Sequence, residues 1–425
     1  MRAHYGVAVQ PESAAHQTAT RRLLAYVGAS LIAGGATVTD AELEVRRLGA
    51  HLGHPQVQVM GNPTGLTVAL GSGEPATLER IEGGLRLDQS LHVGRVRRDL
   101  LAGRLGVEEG VEALRQAREL PHLYGTPGFV GGLFVVSMGI CMIMQPAWAN
   151  VLLAGACSLA VSWLMLASAR HALLASLLPT VAAFVVSLAI LGTWQAGLVD
   201  GPLRTMVCPI AVLLPGSLLS TGIAELATGA VVSGTARFSH GIVQLLLFAL
   251  GVVGAGVLLG IPPEAFTNVR LDQMGLWSLP VGLALITLGI TLSESVPWRM
   301  VGWISLVLTA TFTTQMLGQL HGESLPVAAF GGAVVASFLS TAIEATRTNV
   351  PRLITFLPSF WLLVPGTLGL MGITTFGLGT GQVEAVVGVI TLITAIALGL
   401  LVGSALALPL KRIARRIHVL QKLRR

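Results

Sequence analysis

The stretch Thr205–Arg237 contains the residue types from which a transport site could be built. It is mostly apolar, yet it contains the pair Pro215-Gly216 and one acid, Glu225. Its 33 residues exceed the roughly 20 helical residues that cross a bilayer core. A Pro-Gly pair inside so long a helix predicts a break, because proline lacks an N–H and clashes with the preceding turn. Such a break frees backbone polar groups that protein, water or substrate must satisfy.

The residues after the break suit a small polar solute that carries a carboxylate and an ammonium group, since half-helix N-termini favour anions. A second interrupted stretch, Leu353–Gly381, repeats the pattern with Pro365-Gly366. Two interrupted segments in matching positions indicate a transporter's binding site. A packing kink is the alternative interpretation. The predicted substrate-binding residues are Pro215, Gly216, Ser217, Ser220, Thr221, Pro365, Gly366 and Thr367.

Two acids are candidates for proton coupling. Glu225 lies nine residues past Gly216, about 13 Å along a straight helix. A carboxylate at that depth is costly and is a functional candidate by default. Glu344 ends a later apolar segment, where an i,i+3 ion pair with Arg347 is the simpler explanation. Glu294 is interpreted as a topology residue of a cytoplasmic turn.

The composition indicates a membrane protein. Of 425 residues, 53% are hydrophobic and 11% are charged, against about 25% charged in a soluble globular chain. The net charge is +6, but the arginines lie beside apolar runs, so membrane topology explains them better than nucleic-acid binding does. The sequence contains no Walker motif, dinucleotide fingerprint or metal-ligand spacing, so no cofactor or metal is predicted.

The predicted fold class is an all-α polytopic membrane protein with ten transmembrane helices as a five-plus-five inverted repeat, preceded by a small N-terminal soluble α/β domain. Residues 1–16 are expected to be disordered, 17–125 to form the cytoplasmic α/β domain, and 411–425 to form a basic tail. Residues 126–260 and 274–410 are the two membrane repeats. The predicted spans are 128–145, 149–168, 171–192, 205–230, 238–260, 274–292, 298–316, 324–345, 353–375 and 384–408.

The N-terminal domain is predicted to be a scaffold or a regulatory element. Thr39 and Glu42 form a capping-box pattern in which Thr39 accepts from the N–H of Glu42. Alternating runs on either side of the turn at 62–65 predict a β-hairpin. The sequence shows no convincing active-site pattern here, so the chain is not predicted to be an enzyme.

The distribution of arginine supports ten spans with both termini inside. The inner short loops and the tail then hold twelve basic residues and the outer loops hold two, as the positive-inside rule requires. The inner loop residues are Arg170, Arg237, Arg299, Arg347 and Arg352, and the outer ones are Arg204 and Arg270.

Corresponding segments of the two halves recur at a nearly constant offset. Pro215-Gly216 lies 150 residues before Pro365-Gly366, and the segment starts differ by 146 to about 153 residues. This offset predicts an internal duplication. Because five spans is an odd number, the second copy would enter the bilayer inverted, as in many secondary transporters.

The runs LLPGSLLSTGIAELATGAVVSGTAR (213–237) and GATVTDAELEVRRLGAHLG (35–53) resemble the threonine/serine exporter family, and the resemblance covers nearly the whole chain. It implies export of threonine and serine across a bacterial inner membrane, driven by the proton-motive force. Related split forms are associated with dicarboxylate export. The positions that match the family pattern are Pro215, Gly216, Glu225, Gly229, Ser233, Gly234 and Arg237.

The leading hypothesis is a proton-coupled exporter of small hydroxy amino acids. The alternatives are an exporter of small dicarboxylates such as succinate, a membrane-anchored enzyme whose soluble domain is catalytic, and a passive channel. The expected partners are a small-molecule substrate and the lipid bilayer, with no nucleic acid, and assembly into a homo-oligomer is left open.

Overall fold

The computed structural model describes residues 13–262, 266, 269–346, 350–363, 372, 374 and 383–410. These residues form two compact units. The first unit contains the residues up to Leu85 together with His92–Leu120. The second unit contains Arg86–Leu91 and the residues from Pro121 onward.

The first unit combines helices with a three-stranded antiparallel sheet of order β1-β2-β3. In its register Met60 pairs with Thr67, and Thr67 pairs with Leu78. Leucines of the helices and of β2 form the core, among them Leu23, Leu48, Leu66 and Leu114. The elements are α1 (Ala14–Ala33), α2 (Val38–His51), β1 (Gln58–Asn62), β2 (Gly65–Ala69), β3 (Ala76–Arg80), α3 (Leu87–Leu101, whose first residues belong to the second unit) and α4 (Val107–Glu119).

The start of α2 differs from its prediction. Thr37, not Thr39, is the N-cap, and its Oγ1 accepts from the N–H of Asp40 at 3.0 Å. Oε1 of Glu42 accepts from the N–H of Gly61 at 2.9 Å, across to β1. The capping box predicted at Thr39 is therefore wrong, because a strand distant in sequence holds the carboxylate of Glu42.

The second unit consists of apolar helices. Seven described helices are long and apolar enough to cross a bilayer core, which makes the chain a polytopic membrane protein. An eighth crossing results if α8 and α9, bent by 65°, form one broken span. The helices are α5 (Gly125–Met144), α6 (Trp148–Ser168), α7 (Ala172–Gln195), α8 (Pro202–Ile210), α9 (Gly216–Ala227), α10 (Val231–Leu258), α11 (Ser278–Ser293), α12 (Trp298–Leu320), α13 (Leu325–Thr346), α14 (Arg352–Leu363) and α15 (Val383–Leu406).

Eight of the ten predicted spans coincide with these candidates. The predicted span 274–292 is α11, whose 16 residues are fewer than a bilayer core requires. The predicted span 353–375 is described as the 12-residue helix α14 and then only at residues 372 and 374. Ten transmembrane helices therefore remain a prediction.

Glycines bring α5 and α11 into backbone contact. A Cβ placed on Gly132 would lie 2.7 Å from the carbonyl oxygen of Gly289, and one on Gly139 would lie 2.8 Å from that of Gly282. The later glycine of α5 meets the earlier one of α11, so the two helices are antiparallel. Small residues at such contacts let helix backbones approach closely.

Two other helix pairs contact each other in the same way. A Cβ placed on Gly251 of α10 would meet Thr180 and Ala183 of α7, and one on Gly399 of α15 would meet Phe330 and Ala333 of α13. The two glycines are 148 residues apart, and their contact residues are 150 residues apart. The two halves thus share a helix contact at the offset seen in the sequence.

Aromatic side chains lie at both ends of α5. Trp148 and Trp277 have ring centroids 5.8 Å apart near one end, and Tyr124 and Trp298 have centroids 6.1 Å apart near the other. The 20 residues of α5 extend about 30 Å, which matches the hydrocarbon thickness. Tryptophan and tyrosine favour membrane–water interfaces, so these pairs fit the two boundaries of the bilayer.

Candidate functional site

The break predicted at Pro215-Gly216 is present. Helix α8 ends at Ile210 and a 3₁₀ turn covers Ala211–Leu213. Leu214 then adopts an extended conformation, as residues before a proline prefer. Helix α9 begins at Gly216 without a side-chain cap. The chain therefore changes direction by 65° inside an apolar segment.

The predicted binding residues after the break lie on two faces of α9. Ser217, Thr221 and Glu225 are four residues apart, so they follow one face of the helix. Along this face the residues change from exposed Ser217 through half-buried Thr221 to fully buried Glu225. Ser220 is about 100° away from Thr221 and is also fully buried. Its hydroxyl has no hydrogen-bond partner within the described part of the chain.

A tight turn joins α9 to α10. Gly229 has a φ of +88°, a conformation that favours glycine, and the N–H of Ala230 donates to the carbonyl of Glu225 at 2.9 Å. Beyond the turn, a Cβ placed on Gly222 would lie 2.8 Å from the nitrogen of Phe238. One on Gly234 would lie 2.7 Å from the carbonyl of Gly222. The two helices therefore form a hairpin in backbone contact.

This hairpin buries an ion pair. Oε2 of Glu225 accepts a hydrogen bond from the hydroxyl of Ser233 at 2.5 Å and lies 3.2 Å from Nε of Arg237. Glu225 is 0% exposed, and the side chain of Arg237 is 10% exposed. Ser233 and Arg237 are one turn apart on α10 and so face the same carboxylate.

Arg237 keeps unused hydrogen-bonding capacity. Its Nη2 is buried and donates to no acceptor among the residues that the structure describes. A buried donor without a partner is costly, and more so when it is charged. The Glu225–Ser233–Arg237 cluster is thus a polar site whose guanidinium could accept a further anionic group.

The second half contributes one described candidate, Glu344. Its Oε1 accepts from the backbone N–H of Arg352 at 3.4 Å, and Nη2 of Arg352 donates to Ser337 at 3.3 Å. Glu344 therefore contacts the start of α14. Its predicted partner Arg347 lies outside the described residues, as do Pro365, Gly366 and Thr367.

Glu294 lies in the turn between α11 and α12. The pKa of its carboxyl is raised to about 7, mainly by burial and to a smaller extent by the nearby charge of Asp88. The backbone N–H of Leu87 and the charge of Arg86 act in the opposite direction. Glu294 is thus a titratable group in the turn between α11 and α12.

The sequence did not identify Arg237 as a partner of Glu225. It placed Arg237 in an inner loop, whereas α10 begins at Val231 and includes it. Ser233 entered only as part of the family pattern. The available signal was the i,i+4 spacing of Ser233 and Arg237 directly after the Gly229 turn, which puts both on one helix face.

Apolar helices of spanning length, a broken helix and a buried ion pair define a polytopic membrane protein with a polar site between two of its helices. A family model described as "Putative threonine/serine exporter" matches residues 22–259, more than half of the chain. The chain belongs to the threonine/serine exporter family.

Two curated relatives are similar over most of the chain. A protein of Mycobacterium tuberculosis named "Probable threonine/serine exporter" is 26% identical over 332 residues, which are 75% of this chain and 62% of that protein. A "Threonine/serine exporter" of Corynebacterium glutamicum is 24% identical over 363 residues, 81% of this chain and 73% of that protein. The match thus spans less than two thirds of the mycobacterial relative. No solved structure matches this chain.

Proposed function

We propose that this protein exports small hydroxy amino acids, threonine and serine, from the cytoplasm by proton-coupled secondary transport. The observation that carries the proposal is the buried Glu225–Ser233–Arg237 cluster beside a broken helix. An intramembrane carboxylate can take up and release a proton, and ionisable residues at such depth commonly mark transport pathways. The hydroxyls of Ser217 and Thr221 follow the same face of α9 as Glu225 and suit a hydroxylated solute.

The choice of substrate rests on the relatives. Both carry names that specify threonine and serine, and the family match covers the whole Glu225–Arg237 stretch. A zwitterionic solute also fits the cluster's chemistry, because a guanidinium complements a carboxylate and a carboxylate complements an ammonium group.

Alternating access of two inverted repeats is the proposed mechanism. The antiparallel contact of α5 with α11 is the arrangement that a two-fold axis in the membrane plane would produce. The equivalent contacts of Gly251 and Gly399 support the same repeat at an offset close to 150 residues. Two similar halves in opposite orientation can exchange conformations and open a central site to one side and then to the other.

The proposed location is the bacterial inner membrane, with both termini in the cytoplasm. With Arg237 assigned to α10, the inner loops and the tail still hold eleven basic residues against two in the outer loops, which supports this orientation.

Export of small dicarboxylates is the second candidate. It gains support from Arg237, which the sequence assigned to an inner loop but which lies in α10 and brings a guanidinium between apolar helices. A dicarboxylate carries two negative charges, however, and Glu225 already offsets the charge of Arg237. An amino acid, with one charge of each sign, therefore fits the cluster better.

Transport in reconstituted liposomes tests the proposal. Labelled threonine, serine and succinate would be measured with and without an imposed pH gradient. We expect threonine and serine, but not succinate, to move faster with the gradient. We expect Glu225→Gln to remove the effect of the gradient, and Glu323→Gln, which changes an exposed carboxylate, to retain it. Movement that is indifferent to the gradient would refute proton coupling.

A further inference from the structure

We propose that Arg237 is the residue that binds the substrate's carboxylate, and that the substrate competes with Glu225 for its guanidinium. The inference rests on the proposed function and specifies how its site recognises an amino acid. Nothing in the family match or in the names of the relatives assigns a role to this arginine.

The guanidinium of Arg237 is only partly used by the protein. Its Nε lies 3.2 Å from Oε2 of Glu225 as an ion pair, and its buried Nη2 has no acceptor within the described residues. An arginine can present two parallel N–H groups to one carboxylate in a bidentate arrangement. The contact with Glu225 falls short of that arrangement, because neither Nε nor Nη2 of Arg237 makes a hydrogen bond within the described residues. A substrate carboxylate could therefore make a better pair with Arg237 than Glu225 does.

The location of the pair fits a binding role better than a packing role. A buried ion pair that only stabilises a fold gains little over apolar residues of similar size. The glycines at 222 and 234 already bring α9 and α10 into backbone contact without it. The pair lies on the face of α9 that leads through Thr221 to exposed Ser217 beside the break. That face gives a polar solute a continuous row of partners.

Competition follows from this geometry. Glu225 holds the guanidinium when no substrate is bound, and a bound carboxylate takes its place. Glu225 is then free to pair with the ammonium group of the same amino acid. Removing the carboxylate of Glu225 should therefore strengthen carboxylate binding, whereas removing Arg237 should abolish it.

Substrate analogues test the recognition of the carboxylate in the unaltered protein. Threonine would be compared with 3-hydroxybutyrate, which lacks the ammonium group, and with 1-amino-2-propanol, which lacks the carboxylate. Binding would be measured as inhibition of labelled threonine uptake and as a rise in the thermal unfolding midpoint. We expect 1-amino-2-propanol to bind at least tenfold more weakly than threonine. It lacks the carboxylate that would bind the guanidinium of Arg237, and hydrogen bonds to charged groups are stronger than those between neutral groups. Equal binding of the two would overturn the proposal even if no variant could be purified.

Variants then assign that recognition to Arg237. In Arg237→Gln we expect threonine affinity to fall about tenfold to a hundredfold and the preference over 1-amino-2-propanol to disappear. Arg237→Lys should retain part of the preference, because lysine keeps the charge without the planar fork. Glu225→Gln should bind 3-hydroxybutyrate more tightly, since the competing carboxylate is gone and this analogue has no ammonium group for Glu225 to pair with. Arg204→Gln, which changes a partly buried arginine of α8, is the matched control and should keep the preference.

The outcomes separate this inference from the proposed function. Gradient-driven threonine transport with an unchanged analogue preference in Arg237→Gln would leave the function standing and refute the role of Arg237. Transport of succinate alone would refute the proposed substrate, and loss of succinate binding in Arg237→Gln would still support carboxylate recognition by this residue.

Discussion

Glu225 and Glu294 are both packed into the second unit, but their partners differ in kind. Glu225 faces a guanidinium and a hydroxyl from the adjacent helix, so its charge is balanced directly. The carboxyl of Glu294 accepts a hydrogen bond from the backbone N–H of Leu87 and lies near Arg86. The guanidinium of Arg86 is itself paired with Asp88 through two hydrogen bonds of 3.1 Å. Burial dominates at Glu294 and raises its pKa to about 7.

The comparison shows that the partner, and not burial alone, decides what a buried acid can do. A carboxylate beside an arginine forms a site at which a charged group of a ligand can replace one partner of the ion pair. A carboxylate without a dedicated cation instead tends to take up a proton. The two acids therefore predict different responses to substitution, a change in charge balance at Glu225 and a pH-dependent change in stability at Glu294.

The largest expected effect follows from removing the cation beside Glu225. Arg237→Gln leaves the carboxylate buried without that guanidinium, and breaking a buried pair in this way costs about 3–5 kcal/mol of stability. The double variant Glu225→Gln/Arg237→Gln should recover much of the loss while remaining inactive in transport. Thermal unfolding of purified protein in detergent measures both effects, with Arg204→Gln as control. A double variant no more stable than the single one would show that the pair does not balance charge.

A smaller, pH-dependent effect is expected at Glu294. Its folded pKa of about 7 lies above the ordinary value of 4.5, so the folded state binds the proton more tightly between these values. Stability therefore falls as pH rises from about 4.5 through 7, and the loss is complete above that range. A shift of this size corresponds to about 3 kcal/mol at most.

Glu294→Gln mimics the protonated side chain and should remove this loss. We expect its unfolding midpoint to exceed that of the unaltered protein at pH 8, and the difference to vanish near pH 4.5. The exposed loop residue Glu323 supplies the control, since Glu323→Gln should change the midpoint little at either pH. An advantage of Glu294→Gln that stays constant across pH would contradict the assigned protonation.

The sequence predicts the helices and the break well because these depend on local properties. Apolar length located the eight spans that coincide with described candidates, and the Pro-Gly pair located the 65° bend. The partners of the acids depend instead on contacts between distant residues. Glu42 is held by Gly61 and not by its own helix end, and Glu294 contacts Leu87, some two hundred residues earlier in the chain.

Arg237 shows the same limit within a short stretch. Its positive charge predicted a cytoplasmic loop, which is the usual meaning of arginine beside an apolar run. The turn at Gly229 instead starts α10 early enough to place Arg237 in its second turn, facing back toward α9. The spacing of residues was visible in the sequence, but the close approach of the two helices was not.

The smallest expected effect concerns the glycines that permit this approach. In Gly222→Ala the added methyl would lie 2.8 Å from the nitrogen of Phe238, so α9 and α10 must separate. Overpacking of this kind costs about 1–3 kcal/mol. The separation would lengthen the 3.2 Å contact between Glu225 and Arg237, so we also expect slower threonine transport. Gly192→Ala in α7 is the matched control, because a Cβ placed there meets nothing within 4 Å. Gly222→Ala could lower the unfolding midpoint and leave transport unchanged. The Glu225–Arg237 pair would then not depend on the contact between α9 and α10, and the distinction drawn between Glu225 and Glu294 would lose its structural basis.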